Sequence, residues 1–194
     1  YLYKEKQSEL AARSYRRQIL RNYATLVLPQ DDFALKKFIS RRDPVTKAVG
    51  YDKGAMVFHM LRKSLGEEAF WGALRDVYRE RLFQPTSWAN LQQAFEARAN
   101  SSLQEFFDQW VYRKGAPQFF LDNVQAEKSN GHWRIRGRII QEKPYYTFPV
   151  KLALQSSAPE QFKQVDVRAV RVSHFEMNSD SPPGRLTVDP DYDI

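Results

Sequence analysis

The sequence predicts an α+β protein of more than one domain: an N-terminal all-α helical bundle over residues 1–115, then a small antiparallel β-sandwich over residues 116–194. Two features of the pattern carry this. Ahead of Lys114-Gly115-Ala116-Pro117 the apolar residues recur at helical spacing, and beyond it they alternate. Within the alternating part, Asn130-Gly131 separates two apolar-polar runs, which is the signature of a tight hairpin. A composition of 42% hydrophobic and 14% aromatic residues in a chain of 194 is enough to build a core.

The helical part reads in order. Leu2, Leu10, Tyr15, Ile19, Tyr23, Leu26 and Val27 recur among charged residues, predicting one long, partly exposed helix from Leu2 to about Leu28, ended by Pro29. Asp31-Asp32 can open a short helix carrying Phe33, Leu35, Phe38 and Ile39, and Arg41-Arg42-Asp43-Pro44 reads as a turn. Next, Tyr51, Gly54, Val57, Phe58, Leu61 and Leu65 fall on one stripe, with Met56, His59, Arg62 and Lys63 turned off it. That predicts a buried helix capped at Gly66. Phe70, Leu74, Val77 and Tyr78 supply the buried side of the following helix. Ser87 caps the next, with Leu91, Ala94 and Phe95 inward, and Ser102-Leu103-Gln104-Glu105 has the form of a capping box opening a helix with Phe106, Phe107 and Trp110.

In the β part, Trp133, Ile135 and Ile139 alternate with Arg134, Arg136 and Arg138. Tyr146, Phe148, Val150, Leu152 and Leu154 share one face, Val165 with Val167 and Val170 with Val172 suggest further strands out of phase with each other, and Leu186 to Val188 makes the last. Five to seven strands in an antiparallel sandwich are expected.

The net charge of +7 resides in residues 1–116, where 20 Lys and Arg face 13 Asp and Glu. These charges are interleaved and form no dense block, so a solvated basic helical surface is expected and a nucleic-acid partner is not. The chain has no cysteine, which removes disulfides and thiolate-bound zinc. No apolar run approaches the roughly 20 residues that span a bilayer. It opens on Tyr1-Leu2-Tyr3-Lys4 with neither an initiator methionine nor a leader pattern, and so reads as a piece of something longer.

For Tyr51 taken alone, a phenol buried in the stripe and hydrogen-bonded to a carbonyl is the default. The wording around it points elsewhere. Tyr51-Asp52-Lys53-Gly54-Ala55, followed by Leu61-Arg62 and Leu65-Gly66-Glu67-Glu68-Ala69-Phe70, resembles the Tyr-x-Lys-Gly-Ala helix of the aminopeptidase N family, zinc metallopeptidases of the gluzincin group. Phe106, Phe107 and Trp110 with Gly115-Ala116-Pro117 are similar to the elements that close the catalytic helical domain there. The β part, with Phe119-Phe120-Leu121, Gln141 and Pro149-Val150, is similar to the sandwich that follows it.

The resemblance implies that Tyr51 is catalytic, stabilising the oxyanion of the tetrahedral intermediate. It also implies zinc in the full-length protein, a peptide substrate, and an upstream catalytic half of the same polypeptide as partner. The chain itself lacks the His-Glu-x-x-His pair, so no residue of it is assigned to metal or cofactor and it is expected to be inactive alone. His59, His132 and His174 lie far apart in sequence. Glu5 and Glu9 come nearest to a ligand position and are not assigned. Asp52 and Lys53 read as a solvated pair, and Arg134, Arg136 and Arg138 as a groove lining or a solvated face. The alternative function is a non-catalytic scaffold or interaction module with the same fold.

Overall fold

A computed structural model describes residues 2–194, and the chain divides into two compact units, Tyr1–Gly115 and Ala116–Ile194.

In the first unit, the single long helix expected at the start is two: α1 (Leu2–Gln7) and α2 (Glu9–Leu26). Ser8 breaks them. Its backbone is extended, and its hydroxyl accepts from Ala11 N–H at 3.0 Å, the local bond by which serine competes with helix continuation. The face that α2 buries is Ala12, Arg16 and Ile19, while Leu10 and Leu26 are exposed. The segment after Pro29 forms only one 3-10 turn, Leu35–Lys37, with Leu35 buried.

Asp43 is extended, as the proline after it requires, and it caps rather than merely turns. Its carboxylate accepts from Thr46 N–H at 2.7 Å, and Pro44 occupies the first helical position of α3 (Pro44–Lys47). Helical backbone then runs through a π-helical turn, Ala48–Lys53, into α4 (Gly54–Arg81). The single-stripe reading of this helix is corrected. Met56, His59 and Met60 are buried along with Val57 and Leu61, whereas Tyr51 at its head is 56% exposed. The reason is that neighbours cover more than one side: the Ala48–Lys53 turn packs on α2 and α4 packs on α5 (Trp88–Ala99).

Gly66 has φ 78° and ψ 168° and breaks α4 into two segments, as its capping role predicts. Phe58, Phe70, Trp88, Phe95 and Phe107 pack as one ring cluster, with Phe70 stacked on Phe95 at 5.4 Å between centroids. Ser87 and Asn90 form a reciprocal cap on α5. The capping box expected at Ser102 does not form. Leu103 N–H is bound instead by the Glu96 carboxylate at 2.8 Å, and α6 (Gln104–Phe107) runs into a second π-helical turn, Asp108–Tyr112.

The second unit holds six strands in two antiparallel three-stranded sheets, β1-β2-β5 and β4-β3-β6. These are β1 (Phe119–Ser129), β2 (His132–Gln141), β3 (Phe148–Ser156), β4 (Gln161–Val167), β5 (Val172–Ser179) and β6 (Pro183–Val188). Asn130 and Gly131 close the β1–β2 hairpin with φ 50° and 84°, the left-handed pair that matches strand twist. Inward residues Ile135, Ile139, Phe175 and Met177 of one sheet, and Val150, Leu152, Leu154, Val165 and Val167 of the other, are buried. Val170 does not share a strand with Val172. It is exposed in a bend, and β5 starts two residues later. The bend is held by Gln141, whose buried amide donates to the carbonyls of Tyr146 at 3.0 Å and Arg168 at 2.8 Å and accepts from Tyr146 N–H.

Candidate functional site

Tyr51 sits in the π-helical turn, and the residues around it are tied down while its own hydroxyl is not. Gly50 lies against Phe38: a Cβ added there would stand 2.2 Å from the Phe38 ring. Phe38 in turn meets Tyr51 edge-on, with centroids 5.5 Å apart and planes at 76°. The Tyr51 hydroxyl itself takes no hydrogen-bond partner among the described residues.

The two residues after it are buried, which corrects the reading of Asp52 and Lys53 as a solvated pair. They do not bind each other. The Asp52 carboxylate receives Lys47 Nζ at 2.8 and 2.9 Å. Lys53 turns the other way, donates to the carbonyl of Gly115 at 2.8 Å and passes over the Tyr23 ring at 5.9 Å. Burial pushes the Lys53 ammonium down to about 8, against the opposing pull of the Asp32 charge and with that of Arg113. Gly115 N–H donates to Asp32 Oδ2 at 2.5 Å.

A wide helical turn interrupts the regular ladder and re-aims the side chain it carries, which is why such turns are frequent at functional sites. Here it presents to solvent a phenol, a group able to donate a hydrogen bond. Phe38 also lines a shallow hollow of about 220 Å³ with Lys37, Ile39 and Arg42.

The histidines stay apart in character as in sequence. His59 is buried in α4, His132 is exposed with Nδ1 2.6 Å from Asp180, and His174 is exposed on β5. Glu5 is taken by Arg62 at 2.5 Å. No group of three or more His, Cys, Asp or Glu able to hold a metal ion occurs among the described residues, so those residues do not fit a zinc centre. Arg134 and Arg136 share Glu176 at 3.4 and 2.9 Å, and Arg138 binds Asp122 at 2.5 Å. Each arginine of the stripe is therefore paired with a carboxylate, three arginines sharing two acids. Sequence pattern gives no sign of Phe38, Asp32 and Gly115 as members of this site, because each reaches the turn from a distant segment or through a neighbour's packing, whereas Lys47 pairs with Asp52 only five residues on.

Comparison with known proteins finds what this segment is similar to. Residues 38–110, which contain the whole turn and its ring partner, match the Peptidase family M1 domain. In that segment the chain is similar to peptidases of this family. Over 70 residues it is 31% identical to aminopeptidase N of Lactococcus lactis subsp. lactis, a match that covers 36% of this chain and 8% of that protein. Among solved structures it is similar to aminopeptidase A of Legionella pneumophila in complex with aspartic acid, with a TM-score of 0.54 at 16% identity, over 72% of this chain and 16% of that one. At that identity the likeness is one of fold. The chain thus spans a small part of the length of each.

Proposed function

We propose that this chain contributes the oxyanion-binding phenol to an aminopeptidase-like zinc metallopeptidase. In this reading Tyr51 donates its hydroxyl proton in a hydrogen bond to the oxygen that becomes negative as a peptide carbonyl is attacked. The observation that carries the reading is the exposed, unengaged hydroxyl of Tyr51 on a turn whose flanking residues are fixed, inside the segment that matches a peptidase domain.

The phenol need not ionise to act. A positioned donor of this type, stronger for the charged oxygen than for the neutral carbonyl, is worth roughly 2.7 to 4 kcal/mol of transition-state stabilisation. The zinc would be held by residues outside this chain, in an upstream catalytic half of the same polypeptide. On this reading the chain by itself is inactive, since the ligand set that peptide hydrolysis in this class requires is absent among the described residues.

The test is steady-state hydrolysis of an aminoacyl reporter by the longer protein that contains this chain. Tyr51→Phe, which deletes one oxygen and keeps the ring, should lower kcat by about a hundred- to a thousandfold with KM little changed. Undiminished kcat removes the role given to Tyr51.

A further inference from the structure

We propose that Lys53 and Asp32 clamp Gly115 from its two sides and so hold the Tyr51 turn in register, with Lys53 a positioning residue rather than a catalytic one. Its bearing on turnover rests on the oxyanion reading of Tyr51; the clamp itself does not.

The geometry is reciprocal. Lys53 Nζ donates to Gly115 O at 2.8 Å, while Gly115 N–H donates to Asp32 Oδ2 at 2.5 Å, so both polar groups of one residue are taken by two opposite charges. Gly115 has φ 97°, a conformation that a residue with a side chain rarely adopts, and this is what turns its N–H and C=O toward the two partners. A second tie runs along the same seam, from Lys114 Nζ to Pro29 O at 3.0 Å. Three segments distant in sequence, around residues 29–32, 53 and 113–115, are joined there.

Burying a lysine at 6% exposure is costly, and an apolar side chain of the same length would fill the space without that cost. The cost is met by a use. Lys53 is two residues from Tyr51 in a turn whose backbone bonds are all local, and its side chain supplies a tie to a segment 62 residues away. Asp52 is tied to Lys47 on the near side. With Phe38 filling the space beside Gly50, positions 50, 52 and 53 are all anchored, and at position 51 the ring packs on Phe38 while the hydroxyl stays unbonded.

Lys53→Met retains the length of the stem and removes the donor and the buried charge. In the longer protein it should leave the melting temperature equal or higher, yet speed amide hydrogen exchange at Gly115 and across the 48–53 turn by about tenfold or more, with the α5 amides unchanged. Unchanged exchange at Gly115 overturns the clamp. Asp32→Asn, which keeps an acceptor for Gly115 N–H and removes the charge opposing Lys53, should produce a smaller acceleration at the same amides, and none there also counts against it.

The kinetic arm separates the two proposals. Lys53→Met should lower kcat about tenfold with KM little altered, the mark of a misplaced group rather than lost binding. If Tyr51→Phe is damaging and Lys53→Met keeps full kcat, the positioning role fails while the oxyanion reading stands. If Tyr51→Phe is harmless, the oxyanion reading fails and exchange at Gly115 alone decides the clamp.

Discussion

The ring of Phe38 stands in the space that a side chain on Gly50 would need, 2.2 Å from where its Cβ would lie. The same ring meets Tyr51 edge-on at 5.5 Å, so the glycine preceding the phenol sets the position of the phenol's ring contact.

Gly50→Ala should therefore cost stability even though it suits a helix better. Displacing a packed aromatic ring in this way typically costs about 1–3 kcal/mol, more than the gain of up to about 1 kcal/mol from helix propensity. Urea unfolding of the variant checks this. A midpoint at or above that of the parent would mean that Phe38 moves aside freely.

The buried ammonium of Lys53 makes stability depend on alkaline pH in a stated direction. An unfolded lysine titrates near 10.5 and the folded one is pushed down to about 8, mainly by burial. Between those values the unfolded chain holds the extra proton, so stability contributed at this site rises with pH through that window and is flat below it. The difference in unfolding free energy between the parent and Lys53→Met, measured from pH 7 to 10, should move in the parent's favour as pH rises. A constant difference would show that Lys53 is not held at a lowered value.

In the β unit, Gln141 is the residue whose loss should be felt most for its size. It is 2% exposed, and its amide serves Tyr146 N–H and the carbonyls of Tyr146 and Arg168. Gln141→Leu keeps the volume and strands these backbone groups, at about 1–3 kcal/mol for each one left unsatisfied. Thermal unfolding should show a clear drop, and an unchanged melting temperature would mean that water reaches those carbonyls.

How much of this is legible in the sequence follows the range of the interactions. The α+β organisation, the Asn130-Gly131 hairpin and the break at Gly66 rest on residues adjacent in the chain, and each is found. The split at Ser8 departs from the expected single helix although its signal is present, since a serine before an acidic residue can cap a helix as readily as continue one. The stripe headed by Tyr51 fails for a different reason. Helical spacing identifies a face but not how many neighbours cover the helix, and here His59 and Met60 are covered while Tyr51 is not. Lys53 cannot be placed from sequence, because its partner Gly115 is 62 residues away and the tie is made by a carbonyl, which leaves no trace in side-chain pattern.

The left-handed joint at Gly66 has room around it, with no atom within 4 Å of where a Cβ would stand. It uncouples the phase of the two halves of α4. An added residue turns the helix beyond it by about 100°, so one inserted after Gly66 would rotate Glu67–Arg81 and spoil its seat against α5. The half that continues from the Tyr51 turn would keep its bearing.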